Sequence, residues 1–216
     1  MDAVLFDIDG TLVDSTYHHA LAWHRAFARL GDAPPLWRLH RAIGMGGDKL
    51  VAHVAGDETE SQHGDELRDY WREEYLEIRT EVQPLPGATD LLRRLSTAGY
   101  RVALASSGDP EFAREAIDLL GVGDRIEALT TSEDVDASKP EPDLVQATLD
   151  RIGEVDRSVF VGDTPYDVEA AARAGMGCIA VLTGGFSRAE LADAGATLVV
   201  ESLAELVDAD WAPYVS

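Results

Sequence analysis

Two carboxylates on alternate positions, Asp7 and Asp9, close an apolar run in the segment Ala3-Val4-Leu5-Phe6-Asp7-Ile8-Asp9-Gly10-Thr11. A continuous apolar run of this length predicts a buried parallel strand, and Gly10-Thr11 ends it. Side chains two apart on a strand face the same way. The two carboxylates therefore crowd together at the strand's carboxyl end, where open α/β sheets bind ligands. Crowded carboxylates repel, so one keeps a proton or both meet a cation. The pair implies acid–base work, a metal, or both. A solvated turn rich in Asp and Gly is the plainer alternative.

Chemistry-bearing residues recur after other apolar runs. Arg101-Val102-Ala103-Leu104-Ala105 leads into Ser106-Ser107-Gly108, which offers a hydroxyl and free backbone amides to an anionic oxygen. Ser138-Lys139-Pro140 places a lysine, a compact point charge suited to a phosphoryl group, just before a helix. Val159-Phe160-Val161-Gly162 leads into Asp163-Thr164-Pro165-Tyr166-Asp167, adding two more carboxylates on a helix entry. Taken singly, these residues read as a turn, a solvated charge, a helix cap and a first-turn acid. Their joint recurrence at the ends of strands is what those readings leave unexplained.

The elements that must position them fall into two textures. From Thr16 to Val82 the pattern is helical, with helices expected over Thr16–Leu30, Leu36–Ile43, Asp48–Ala55 and Ser61–Arg79. On the last of these, Tyr70, Trp71, Tyr75 and Leu76 read as a face of a helical bundle. From Pro84 onward strands and helices alternate. Strands are expected over Arg101–Ala105, Ile126–Thr130, Ser158–Val161, Ile179–Leu182 and Thr197–Val200. Helices are expected over Ala88–Ala98, Pro110–Leu120, Pro142–Ile152 and Pro165–Ala174. This alternation predicts an α/β fold, a doubly wound, Rossmann-like parallel sheet. Residues 1–15 and 83–216 would form the core, and 16–82 an inserted all-helical cap.

Composition narrows the function. The 216 residues carry 40 acidic against 18 basic side chains, a net charge of −22. Such a chain is poorly suited to bind nucleic-acid phosphates or anionic membranes, both of which are held by Lys and Arg. Lys49 and Lys139 are the two lysines, and every other basic residue is arginine. An acidic, lysine-poor surface resembles that of salt-adapted proteins, in which screening relieves self-repulsion. A midpoint of unfolding indifferent to molar KCl would contradict that expectation. The single cysteine, Cys178, leaves no internal disulfide. With neither a signal-like start nor a long apolar segment, the expectation is a cytoplasmic monomer without a membrane span.

With these residues in order, the sequence resembles the haloacid dehalogenase superfamily of phosphotransferases. Asp7 to Thr11 match its Asp-x-Asp-Gly-Thr motif, Ser106 its strand-end hydroxyl, Lys139 its lysine, and Gly162 to Asp167 its acidic motif. The helical insertion after the first motif resembles the cap of the β-phosphoglucomutase and phosphoglycolate-phosphatase branch, and Asp14-Ser15, His19 and Trp23 also fit that branch. The resemblance implies that Asp7 attacks phosphorus and that Asp9 is first acid, then base. It implies that Mg²⁺ is held by Asp7, the Asp9 backbone carbonyl and Asp163, with Asp167 ligating through water or orienting the site. Ser106 and Lys139 would hold the phosphoryl oxygens. The implied substrate is a small phosphorylated metabolite of phosphoglycolate or sugar-phosphate type. A sugar-phosphate mutase is the alternative, weakened because Gly46-Gly47 stand where the mutases carry an arginine. Phosphonate hydrolysis is disfavoured by Asp9, which phosphonatases lack. A non-catalytic binding module is disfavoured by the retention of Asp7, Asp9 and Lys139. Substrate choice is expected from the cap, with His19, His40, Arg41, Lys49 and the Gly44–Gly47 loop as candidates.

Overall fold

The computed structural model describes residues 1–215. In chain order its elements are β1 (Ala3–Phe6), α1 (Thr16–Arg29), α2 (Leu36–His40), α3 (Gly47–Ala55), α4 (Asp57–Ile78) and α5 (Ala88–Thr97). There follow β2 (Arg101–Ala105), α6 (Pro110–Leu120), β3 (Ala128–Thr130), α7 (Asp143–Ile152), β4 (Ser158–Gly162), α8 (Pro165–Arg173), β5 (Gly177–Val181), α9 (Arg188–Asp193) and β6 (Leu198–Val200). The strands form one parallel sheet in the order β3-β2-β1-β4-β5-β6. From β1 the chain winds outward through β2 and β3, then crosses back to β4 on the other side. The loops leaving β1 and β4 therefore diverge and open a crevice at their carboxyl ends. Asp7 follows β1 and Asp163 follows β4, so the switch point brings together the two acidic motifs.

Burial explains why β1 is apolar throughout: Ala3, Val4, Leu5 and Phe6 are all shielded from solvent. Alternation divides them between two layers. Val4 and Phe6 pack with Leu91, Leu95, Val102 and Phe112 on one face, and Ala3 and Leu5 with Val145, Phe160 and Val168 on the other. Helices α1–α4, inserted between β1 and β2, form the cap around their own cluster of Trp23, Phe27, Leu39, Leu50, Val54 and Leu67. The two crossings into the cap run side by side. Asp14 N–H donates to Gln83 O (2.8 Å) and Leu85 N–H to Leu12 O (2.9 Å).

Several elements depart from expectation; α2, for example, ends at His40 and β5 runs over Gly177–Val181. Helix α4 begins at Asp57 rather than Ser61, because Asp57, Glu58 and Glu60 in its first turn complement the helix dipole. Strand β3 is confined to Ala128–Thr130, since Gly123–Arg125 winds a 3₁₀ turn that holds Ile126 out of the ladder. Helix α9 is an additional element, started by a capping box in which Ser187 Oγ accepts from Glu190 N–H and the Glu190 carboxylate accepts from Ser187 N–H. Among the described residues no helix is long and apolar enough to cross a membrane.

Candidate active site

Strand β1 delivers Asp7 and Asp9 into the crevice, and the chain must then turn sharply. Gly10 supplies that turn with φ +80°, a left-handed conformation that side chains disfavour. Its hydrogen faces Asp163, since a Cβ at Gly10 would lie 2.4 Å from Asp163 Oδ2. On the opposite side a Cβ at Gly184 would lie 1.8 Å from the same oxygen. The site is thus built around a carboxylate gripped by backbone. Thr11 Oγ1 donates to Asp163 Oδ1 at 2.7 Å, whereas Asp163 Oδ2 is buried without a hydrogen-bond partner among the described residues.

Lys139 sits at the centre of the acidic group. Its ammonium, fully buried, lies 2.5 Å from Asp7 Oδ1 and 2.8 Å from Asp167 Oδ1. Burial works against that charge, but the Asp167 and Asp7 carboxylates outweigh it and hold the ammonium protonated. Asp167 is itself fixed by helix α8, where its Oδ2 accepts from Thr164 Oγ1 (2.7 Å) and Thr164 N–H (3.0 Å). Carboxylate oxygens of Asp7, Asp163 and Asp167 all lie within 4.8 Å of one another. Three carboxylates against one ammonium leave two negative charges, which a divalent cation cancels. The orphaned Asp163 oxygen and an all-oxygen donor set suit a hard ion, so the cluster is a Mg²⁺-type site.

The same crowding predicts a pH effect. Burial raises the Asp7 carboxyl to about 7, with Asp167 and Asp9 adding repulsion against the pull of Lys139. Burial and the neighbouring Asp167 and Asp7 also raise Asp163. A carboxyl with a raised pKa holds its proton below that value, and a metal must displace it. Mg²⁺ affinity, measured by titration calorimetry in several buffers, should fall as pH drops below about 7, by up to about tenfold per unit for each proton released. An affinity flat from pH 8 to 5.5 would contradict this.

Asp9 has a different environment. Ser15 Oγ donates to its Oδ1 (2.5 Å), and His19 Nε2 lies 2.9 Å from the same atom. Burial works to raise Asp9, but the imidazole and hydroxyl outweigh it and hold the carboxyl below its ordinary value. His19 is itself stacked on Tyr75, with centroids 4.1 Å apart, so its ring is positioned by the cap. Ser106 is buried at the end of β2, its Oγ accepting from Gly108 N–H at 3.0 Å. Ser107 and Gly108 reach the cavity surface, and Ser107 Oγ lies 3.4 Å from Lys139 N.

Between cap and core lies a cavity of about 610 Å³ with Asp7 and Asp9 in its lining. The cap contributes His19, Trp23, Gly44, Met45, Arg68, Trp71 and Arg72. Arg68 and Arg72 are absent from the sequence reading, although their i,i+4 spacing beside Trp71 puts them on one face of α4. Both are already paired: Arg68 with Glu60 and Asp65, and Arg72 with Asp109 and Glu111 of the core.

Three cap candidates are placed elsewhere. Arg41 pairs with Glu190 and covers the Phe186 ring, so it docks cap onto core rather than facing the cavity. Lys49 donates to Ser138 O at 2.7 Å and approaches Glu141, tying α3 to the loop before Lys139. His40 is likewise spent on the seam, with Nε2 2.9 Å from Gly184 O. The Gly44–Gly47 loop does reach the cavity, through Gly44, Met45 and Gly47.

Residues 1–175 match the profile of the haloacid dehalogenase-like hydrolases. The chain belongs to that family. It is 31% identical to a phosphoglycolate phosphatase of Rhodospirillum rubrum over 95% of this chain and 89% of the relative. A second relative, a phosphoglycolate phosphatase of Aquifex aeolicus, is 30% identical over 81% of this chain and 82% of its own. Among solved structures, a hydrolase from Pseudomonas syringae superimposes with a TM-score of 0.90 at 30% identity, covering 96% of this chain and 97% of that one. This haloacid dehalogenase-like hydrolase is a Mg²⁺-dependent phosphatase of a small phosphate monoester.

Proposed function

We propose that Asp7 is the nucleophile, Asp9 the acid and then the base, and Ser106 and Lys139 the binders of the phosphoryl oxygens. The observation that supports this most is the placement of the Asp7 carboxylate in the cavity lining, 2.5 Å from the buried Lys139 ammonium and beside the orphaned Asp163 oxygen. Asp7, Asp163 and Asp167 would hold Mg²⁺, with the Asp9 backbone carbonyl. The bound ion supplies charge neutralisation that lets a phosphate dianion approach these carboxylates.

In the first step an Asp7 carboxylate oxygen bonds to phosphorus and the ester P–O bond breaks. The departing oxygen takes a proton from Asp9. In the second step water attacks phosphorus, Asp9 accepts the water proton, and the Asp7–phosphorus bond breaks to release phosphate. The ionised Asp9 that His19 and Ser15 favour is the form needed for the second step. The approach of a phosphate dianion raises its pKa, as any like charge does, and so favours the protonated form needed for the first.

Asp9→Asn should therefore lower kcat on an alkyl phosphate by about 10²–10⁴-fold. Its effect on p-nitrophenyl phosphate, whose leaving group needs no proton, should be smaller in the burst phase. Equal losses on both substrates in single-turnover kinetics would argue against the acid role.

The cap is proposed to span residues 16–82 and to hinge where the crossings pair, near residues 12–15 and 83–85. Phosphoglycolate is the first substrate to assay, because it stands in the names of the relatives. A second reading, an ester whose organic part carries hydroxyls, is favoured by the pairing of both Arg68 and Arg72 with carboxylates, which leaves neither guanidinium free for a substrate carboxylate. Free-phosphate release from a panel of phosphate esters, with Mg²⁺ and with EDTA, tests the reading. No Mg²⁺-dependent release from any ester would contradict it, and isomerisation without free phosphate would indicate a mutase.

A further inference from the structure

The loop after β5, Leu182 to Phe186, has the metal carboxylates on one side and the cap on the other. On the inner side Gly184 abuts Asp163 Oδ2, so closely that any Cβ would overlap it, and Thr183 Oγ1 donates to Gly10 O at 2.5 Å. On the outer side His40 Nε2 lies 2.9 Å from Gly184 O. The His40 ring is stacked on Tyr17 with centroids 4.7 Å apart, and Phe186 lies beyond it at 5.9 Å. Arg41 then clamps the Phe186 ring from above, its guanidinium 4.0 Å from the centroid.

The same cap turn also touches the acidic motif directly. Tyr166 Oη donates to Arg41 O at 2.8 Å, and a Cβ at Gly44 would lie 2.8 Å from Thr164 Oγ1. Thr164 Oγ1 is the hydroxyl that donates to Asp167. Residues 40–44 therefore brace Asp163 through Gly184 and Asp167 through Thr164. The other side of this turn, at Ile43 and Gly44, lines the substrate cavity.

We propose that the His40–Gly44 turn couples cap docking to Mg²⁺ binding, with His40 as a positioning residue that holds Gly184 against Asp163. The contacts are close-packed: His40 is 8% exposed and Asp163 fully buried, so a loosened loop would free the Asp163 carboxylate to leave its rotamer. Coupling of this kind is reciprocal, so Mg²⁺ should favour the docked cap by the same factor by which docking favours Mg²⁺. The proposal rests on the carboxylate cluster being the Mg²⁺ site.

The test is Mg²⁺ affinity by titration calorimetry on the full chain, in the absence of substrate. His40→Ala should weaken Mg²⁺ binding by about fivefold or more, the lower end of ordinary allosteric coupling. His40→Gln, whose amide can still donate to Gly184 O, should recover most of it. Arg94→Gln removes an exposed ion pair with Asp208, both residues belonging to the core, and should leave the affinity unchanged. In the wild type, Mg²⁺ should also slow amide exchange at residues 40–44, and in His40→Ala it should not. Unchanged affinity in His40→Ala, or equal weakening in Arg94→Gln, would overturn the coupling. Should His40→Ala fail to fold, Arg41→Met, at a half-exposed side chain, carries the same expectation and the same refutation. Absence of Mg²⁺ binding by the wild type would instead remove the metal site itself, a distinct result.

Discussion

Asp7→Asn should lower turnover of any phosphate ester by about 10⁴-fold or more, the scale seen when a covalent nucleophile is removed. The amide is nearly isosteric with the carboxylate but cannot attack phosphorus, so the loss is in kcat. The fold should survive. Asp7 is one of three carboxylates matched by a single ammonium, and Lys139 keeps its 2.8 Å contact with Asp167 when Asp7 becomes neutral. Without metal, repulsion within the cluster should ease, and Asp7→Asn should melt no lower than the wild type. With Mg²⁺ present the order should reverse, because the wild type gains more from the ion. Steady-state kinetics and thermal melts in EDTA and in Mg²⁺ measure both effects. Full activity in Asp7→Asn would overturn the nucleophile assignment.

Lys139→Met is the second large effect, and it acts on both stability and chemistry. The ammonium is fully buried between Asp7 and Asp167, and removing one partner of a buried ion pair costs about 3–5 kcal/mol because the other is left uncompensated. The sign of the pH dependence follows. Without Lys139 the Asp7 and Asp163 carboxyls, already raised by burial, are raised further above the unfolded value. The destabilisation is then small at acid pH, where they are protonated in the folded protein, and grows as pH rises through their folded pKa. Denaturant melts of Lys139→Met against wild type at pH 5 and pH 8 should show the larger gap at pH 8. A gap independent of pH would mean that packing of the lysine stem, rather than its charge, carries the effect. Saturating Mg²⁺ should narrow the gap at pH 8, since it supplies positive charge to the same oxygens.

The core and its acidic centre were readable because they obey short-range rules. An apolar run that stops at Asp7, and another that stops at Gly162 before Asp163, mark strand ends whatever the rest of the chain does. Parallel pairing of β1 with β4 then makes those ends neighbours. The cap was readable as helices but not as a surface. Whether Arg41 or Lys49 points at substrate depends on how four helices dock onto the sheet, and both turn out to bridge cap to core. Arg68 and Arg72 escaped for the opposite reason. They lie on a strongly charged helix, where any arginine reads as solvated, and only their place in the lining of the cap–core cavity distinguishes them. Helix α9 carried a signal that could have been used, Ser187 three residues before Glu190 ahead of Leu191. The brace formed by Gly184 and His40 has no local signature, since it joins residues from distant parts of the chain.

The proposed chemistry turns on a covalent aspartyl-phosphate at Asp7. Acid quench of the wild-type protein during turnover with Mg²⁺, followed by borohydride reduction and peptide mass spectrometry, tests it most directly. Homoserine is expected at position 7, dependent on substrate and absent in Asp7→Asn. Reduction at another carboxylate, or turnover with Asp7 unmodified at every quench time, would contradict it.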